Sequence, residues 1–478
     1  MLLEPFDRPD LHWVLPYLTG GIFLLLASAV GLGPFSGYAT PPMYGDFEAQ
    51  RHWLEITTAL PPSRWYFYDV QWWGLDYPPL TAFHSWFFGT IGNYINPSWF
   101  ALDSSRGLET NSLKAYMRLT VLISQMVIYV PMVYIYARNR SATLGTTVAV
   151  WHETLLTFLL TPALILIDNG HFQYNSVMLG LFIGSIAAIQ RKRLLLASLL
   201  FTCSLFFKQM ALYWAPTIFF YILGRCKVNW SGFFLLISVA LTVILTSIAM
   251  LAPWINSVPQ LAEIVHRVFP FGRGLWEDKV ANFWCATNTV VKYKKLFNEG
   301  TLAKLALATT LVAIAPSCLA ALFCNSRVKL VLAFSCCSWA FYLFSFQVHE
   351  KSVLVPLIPT SLLFFEQNPE WTAMVQWINN IALFSLWPLL QREHLELQFF
   401  CLAAVFNSYT AFPHNWLNQV AVAGSYAAIA IVWIAQAFNL VPIAANYPDL
   451  WVVINVTISF CCFAYTFLWL HKQLYHLP

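Results

Sequence analysis

The amino-acid sequence predicts an all-α polytopic membrane protein, and three observations carry that expectation. Of the 478 residues, 59% are hydrophobic and only 10% are charged, well under the roughly 25% typical of soluble domains, and the mean hydropathy is +0.60. Apolar stretches approaching the roughly 20 residues that a helix needs to cross a bilayer recur along the whole chain. Short loops bearing Lys and Arg but no acid alternate with loops that hold the acids and aromatics. No sheet is expected, because in lipid only helices and closed barrels satisfy the backbone.

The apolar stretches fall near 13–33, 115–136, 145–167, 177–189, 194–207, 210–223, 233–254, 302–323, 329–345, 352–365, 372–390, 397–412, 418–437 and 450–470. Several are short, so the expected number of spanning helices is about 11 to 14. The first is read as a retained span, because "MLLEPFDRPDLH" has three acids and one Arg where a secretory signal needs a basic segment. The loops after stretches two, four, six and eight are "ARNRSA", "QRKRL", "GRCKVNWSG" and "CNSRVK". By the positive-inside rule they are cytosolic. The opposite, lumenal side then receives Gly45–His84, "DNGHFQYNS", the turn with Lys208 and Gln209, "RGLWEDKVANFWC" and "FQVHEKS". Residues 81–102 are amphipathic and rich in aromatics, which suits a helix lying in the interface.

The polar motifs divide the chain near residue 300. Residues 1–300 form an N-terminal module with lumenal loops 35–114 and 255–300, and 301–478 form a more variable C-terminal module. A net charge of +4 without a Lys/Arg tract points to no nucleic-acid partner. The ten cysteines lack metal spacing and read as small buried hydrophobes. The sequons at Asn139, Asn229 and Asn455 fall in cytosolic loops or inside a span, so none is expected to carry a glycan.

The opening charged stretch, "GDFEAQRHW", begins a helix running to about Thr58. On it Glu48, Arg51, His52 and Glu55 have the spacings that allow pairing. Asp46, at its N-terminus, stands apart and is either a helix cap or a general base at the membrane rim. In "WWGLDYPPLTAFHS", Pro78 and Pro79 stiffen the turn. Asp76 there either caps the following helix or accepts sugar hydroxyls, with Trp72, Trp73 and Tyr77 as flat apolar faces. Asp168, His171, Gln173, Tyr174 and Asn175 sit between two apolar stretches, where polar groups either cap helices or line a wet cavity. Arg273, Lys279, His349 and Lys351 are cations suited to a phosphate, or simply solvated loop charges. No loop has a D-x-D or a His/Cys/Asp cluster at metal spacing. Two function classes fit: an enzyme acting on a lipid-linked substrate, or a multi-span transporter. Charge concentrated in loops rather than mid-span favours the enzyme.

The stretches "GDFEAQRHW", "WGLDYPPLTAFHS", "DNGHFQYNSVMLG", "RGLWEDKVANFWC" and "FSFQVHEKS", in this order over roughly residues 40–360, resemble the endoplasmic-reticulum glucosyltransferases that extend the dolichol-linked N-glycan precursor. The "LDYPP" turn is shared by the enzymes adding the first and second glucose; "EAQRHW" and "WGLDYPPLTAFHS" look more like the first. The resemblance implies a glycosyltransferase-C fold and an active site on the lumenal side of the endoplasmic-reticulum membrane. It implies dolichyl-phosphate-glucose as donor, the dolichyl-pyrophosphate nine-mannose oligosaccharide as acceptor, and an α-1,3 linkage made with inversion. Asp46 matches the family's base in the first lumenal loop, and Asp76 is second in line. His171 and Gln173 are expected to bind substrate. A lipid monophosphate leaving group requires no metal and no cofactor, and Arg273, Lys279, His349 and Lys351 are expected to stabilise its charge.

Overall fold

The computed structural model describes residues 3–226, 229–269, 279–408, 411–441 and 446–477, and among them every regular element is helical. All fourteen apolar stretches contain helix. The chain forms two compact units. One comprises Met1–Leu212, Val228–Phe271 and Leu390–Cys401, and the other Tyr213–Lys227, Gly272–Leu389 and Leu402–Pro478.

The main helices of the first unit are α1 (Val14–Gly31), α2 (Asp46–Ala59), α3 (Pro79–Ile95), α4 (Asn111–Leu144), α5 (Val148–Leu159), α6 (Pro162–Phe172), α7 (Asn175–Gln190), α8 (Leu194–Phe207) and α9 (Trp230–Leu251). Local chemistry sets their ends. α2 stops at Leu60, which precedes Pro61 and is extended. α3 opens with Pro79 in its first turn and stops before Pro97. α4 is capped by the Thr110 hydroxyl, which accepts from the Leu113 N–H, and ends at Gly145 in the left-handed region. α5 and α6 are one apolar stretch broken at Pro162 and bent by 48°.

Seven helices of the described chain are long and apolar enough to cross a membrane, and α5 with α6 makes an eighth. Three further apolar helices, α7, α8 and Glu396–Phe406, are shorter. The eleven to fourteen expected spans are therefore not all full length. A 14-residue helix such as α8 reaches about 21 Å at 1.5 Å per residue, short of the ~30 Å hydrocarbon core. α9 exposes Phe233, Phe234, Leu241, Ile244 and Leu245, as a helix facing lipid does. In the second unit Arg327–Phe344 is hydrophobic on all sides and largely buried, packed on Glu299–Leu322 and Leu450–His476.

Two wide, π-type turns interrupt the first unit's helices, at Gln125–Tyr129 within α4 and at Leu166–Phe172 within α6. Gln125 and Asn169 join them through a reciprocal amide pair of 2.9 and 3.0 Å. Gly180 lets α7 approach this point closely, because a Cβ there would lie 2.8 Å from the Tyr129 Cα.

Loops of equal parity meet within each unit. Arg191 donates to the Asn139 side chain at 2.9 Å in the first. In the second, the Trp284 indole donates to the Phe344 carbonyl at 2.8 Å, and Gly224 lies against the backbone of Leu322. Of the three sequons, Asn229 caps α9 through the Gly232 N–H, and Asn455 is buried with its amide on the Phe384 carbonyl.

α2 is the unusual element, since Glu48, Arg51, His52 and Glu55 on it are buried. Arg51 donates to both Glu48 oxygens and to Glu55, each at 2.7 Å, and to Ser105 at 2.6 Å. His52 contacts Glu55 at 3.2 Å, and the Asp103 N–H donates to it at 2.7 Å. Burial alone would raise the Glu55 carboxyl, but the His52 hydrogen bond, the Arg51 charge and the Asp103 N–H outweigh it and hold it at about 2 against an ordinary 4.5. A lowered folded value means that this carboxylate stabilises the fold fully above the unfolded value and loses that contribution as pH falls toward the folded one. Acid unfolding of the purified protein is therefore expected to steepen between pH 4.5 and about 2, with a flatter response in Glu55→Gln. An identical acid response in the two proteins would refute this.

Candidate active site

Asp46 is the first residue of α2, one position inside its N-cap. The N-cap is Gly45, which is extended and makes no side-chain cap bond. A Cβ on Gly45 would lie 2.6 Å from the Ser36 hydroxyl oxygen, so glycine is needed where the chain crosses itself. That hydroxyl accepts from the Asp46 N–H at 3.2 Å, and the Ser36 N–H donates to the His171 carbonyl at 2.9 Å. Phe47 stacks on Phe35 with ring centroids 4.0 Å apart and meets Phe172 edge-on at 4.9 Å. These contacts seat the start of α2 against the π-type turn of α6.

His171, in that turn, lies between two carboxylates. Its Nε2 is 2.9 Å from Asp46 Oδ2, and its Nδ1 is 2.7 Å from Glu393 Oε1. Gln173 donates its amide to the same Asp46 oxygen. Ionised carboxylates only accept hydrogen bonds. Both ring nitrogens therefore carry hydrogen and the ring is a cation between two anions, or one carboxyl holds the shared proton. The Asp46 side chain is 23% exposed, against 2% for His171 and 9% for Glu393. The row thus runs from the interior to one carboxylate that reaches the surface, oriented by two donors and placed where the helix dipole favours an anion.

Tyr77 belongs to a second polar group in the same unit. The Lys208 ammonium lies 4.7 Å from its ring centroid and donates to the Asn175 side-chain oxygen at 2.7 Å. Asp168 accepts from the Asn175 and Ser176 N–H groups at 3.1 and 2.7 Å, so it caps α7. Tyr174 bonds Thr120 within the buried interior. Asp76 lies two residues before Pro78, the N-cap position of α3. It lies beside Tyr66, whose phenol is pushed well above its ordinary value first by burial and then by the Asp76 charge. The Tyr66 hydroxyl donates to the Tyr77 carbonyl at 2.9 Å. The indoles of Trp72 and Trp73 donate to Glu48 and to the Met43 carbonyl, and the Arg106 guanidinium lies 5.4 Å from the Trp72 ring centroid.

The structure thus brings Asp46, His171 and Gln173 together and places Asp76 and Tyr77 elsewhere in the same unit. Lys279, His349 and Lys351 belong to the second unit. There Lys279 pairs with Asp449, and the His349 N–H donates to Ser352 at the start of a short helix. Arg273 lies outside the described residues. Among the described residues no three His, Cys, Asp or Glu side chains converge as a metal site.

Two members were not given a site role from sequence, although Lys208 was named within its turn. Glu393 lies in the stretch assigned to the C-terminal module, 222 residues from His171. Its signal was the polar run "QREH" (391–394) after the eleventh apolar stretch. Lys208 is a buried cation closing an apolar helix, a setting that is costly without a partner.

Comparison with known proteins adds a second line. The ALG6, ALG8 glycosyltransferase family matches residues 22–469. A probable dolichyl pyrophosphate Man9GlcNAc2 alpha-1,3-glucosyltransferase of Schizosaccharomyces pombe is 48% identical, covering 94% of this chain and 89% of its own. The dolichyl pyrophosphate Man9GlcNAc2 alpha-1,3-glucosyltransferase of Saccharomyces cerevisiae is 39% identical over 99% of this chain and 94% of its own. That of Gallus gallus is 40% identical over 81% and 76%.

Proposed function

We propose, from the premise that the chain belongs to the ALG6, ALG8 glycosyltransferase family, that this multi-pass membrane glycosyltransferase moves glucose from dolichyl-phosphate-glucose to the terminal mannose of the dolichyl-pyrophosphate nine-mannose oligosaccharide. The linkage formed is α-1,3, and this is the first glucose of N-glycan precursor assembly. The reaction takes place at the lumenal face of the endoplasmic-reticulum membrane. The observation that carries the reading is the partly open Asp46 carboxylate, oriented by His171 and Gln173.

The mannose 3-hydroxyl gives its proton to Asp46 as its oxygen attacks the glucose C1. The bond from C1 to the phosphate oxygen breaks on the opposite face, which turns the β-linked donor into an α-linked product. Dolichyl phosphate departs with the electron pair. General-base assistance of this kind contributes typically about 10²–10⁴-fold. Cations stabilise the leaving phosphate; Arg273, Lys279, His349 and Lys351 are assigned to it. Asp76 and Tyr77 are assigned to the sugars. His171 and Glu393 hold the base in place.

Purified protein incubated with donor and acceptor tests the reading. A new α-1,3-glucosyl bond is expected on the nine-mannose acceptor and none on an acceptor that already carries one glucose. Activity is expected to persist in EDTA. Absence of any new bond would favour a transporter. Use of the monoglucosylated acceptor alone would make this the second-glucose enzyme. A strict need for Mg²⁺ or Mn²⁺ would sink the metal-free route.

A further inference from the structure

Phe172 stands between His171 and Gln173, the two side chains that hold Asp46, and its φ is 95°. Residues with a side chain rarely adopt that backbone conformation, and it persists only where the surroundings enforce it. Much of that enforcement comes from Arg118 on α4, which is buried. Its Nη2 donates to the Gly170 carbonyl at 2.6 Å and to the Pro34 carbonyl at 3.0 Å. Its guanidinium carbon lies 5.5 Å from the Phe172 ring centroid. The same nitrogen therefore ties the residue before His171 to the residue two before Ser36. The Ser36 N–H, donating to the His171 carbonyl, closes the ring, and the Ser36 hydroxyl accepts from the Asp46 N–H. Seven residues further along α4, Gln125 grips Asn169, so one helix holds the turn at two consecutive residues. The Arg118 Nε and Nη1 are buried without a hydrogen-bond partner among the described residues. Burying unused donors is costly, so satisfying the guanidinium is not what keeps an arginine here. The Glu393 charge also acts on Arg118, which makes the guanidinium a countercharge to the row of Asp46, His171 and Glu393.

We propose that Arg118 is a positioning residue of the candidate active site: by joining Gly170 to Pro34 it holds the strained turn whose His171 and Gln173 aim the Asp46 carboxylate. The inference rests on Asp46 being the base. Arg118 acts through backbone carbonyls, and what it sets is the direction of the oxygen that takes the proton. A displacement of about 1 Å at a reacting group costs about 10²-fold in rate. Methionine at this position keeps an apolar stem and loses both donors and the charge. Lysine keeps the charge on a stem one bond shorter and lacks the planar fork, so it supports the two carbonyls only in part.

Hydrogen exchange of the full chain in nanodiscs tests the clamp without any sugar transfer. In Arg118→Met, peptides covering residues 34–47 and 168–174 are expected to exchange about tenfold faster or more, as a locally opened segment does, with the second unit at parental rates. Unchanged exchange in these peptides, or equal acceleration throughout the chain, overturns the proposal. Glucose transfer reads the consequence. Arg118→Met is expected to lower kcat by about 10–10²-fold with KM nearly unchanged, and Arg118→Lys to recover part of the rate. Should Arg118→Met fail to accumulate, Arg118→Lys carries both readouts with smaller changes in the same direction. An effect carried through Asp46 vanishes once its basicity is gone, so either variant added to Asp46→Asn is expected to cost less than about threefold. The same loss in both backgrounds would make Arg118 a purely structural residue and overturn the proposal. A parental protein that transfers no glucose defeats the reading of Asp46, and this inference with it. Parental transfer with unaltered kcat in the Arg118 variants defeats this inference alone.

Discussion

Asp46→Asn is expected to keep its fold and to lose turnover by about 10²–10⁴-fold, the range that general-base assistance supplies. The asparagine carbonyl can still accept from His171 and Gln173, so the two contacts that orient the side chain persist. Asp46 lies one position inside the N-cap Gly45, so at the helix end only the modest dipole contribution of its charge is at stake. What disappears is the basicity needed to take the acceptor hydroxyl proton. Donor binding is expected to be unchanged, because an anionic phosphate gains nothing from a nearby carboxylate. Asp76→Asn is the comparison, since both acids lie in the long polar stretch after α1 but only Asp46 joins the His171 row. Near-parental turnover in Asp46→Asn with a dead Asp76→Asn would move the base to Asp76. Full activity in both would remove the general-base mechanism.

The membrane architecture was legible in the sequence because lipid allows the backbone few solutions. Each apolar stretch therefore had to be helix. The two π-type turns were not legible: Gln125–Tyr129 and Leu166–Phe172 keep the apolar composition of their neighbours, and the wider turn depends on the Gln125–Asn169 pair formed between helices. α2 shows the same limit. The spacing of Glu48, Arg51, His52 and Glu55 announced their pairing, but their burial depends on Trp99, Asp103 and Ser105, about fifty residues on. Asp46 was legible as the charge left out of that network. That the N-cap is Gly45 rather than Asp46 was not legible, because it rests on contacts with Ser36 that set where the helix begins.

The largest gap between sequence and site is Glu393, and its variant tests the row behind Asp46. Glu393→Gln is expected to lower kcat by about 10–10²-fold, with KM for both substrates nearly unchanged. The effect acts through His171. The negative carboxylate at Nδ1 accepts from that nitrogen and favours the doubly protonated ring, whose Nε2–H then donates to Asp46. A neutral amide gives the ring's charge less support. When its oxygen accepts from Nδ1–H, the neutral ring is left with a bare Nε2, whose lone pair would face the Asp46 carboxylate and push it out of position. Loss of an orienting partner behind a histidine reduces rates in just this way in other enzymes. The base remains, so the deficit is expected to be smaller than in Asp46→Asn. Glu393→Asp keeps an acceptor-only carboxylate on a shorter stem, so it is expected to recover part of the rate. Glu393→Ala is expected to recover none. Thermal stability separates this role from a packing role: a merely structural Glu393 would lower the unfolding temperature of all three variants together and leave kcat per folded molecule intact. That result, or parental kcat in Glu393→Gln, would leave His171 as a support for Asp46 that needs no carboxylate behind it.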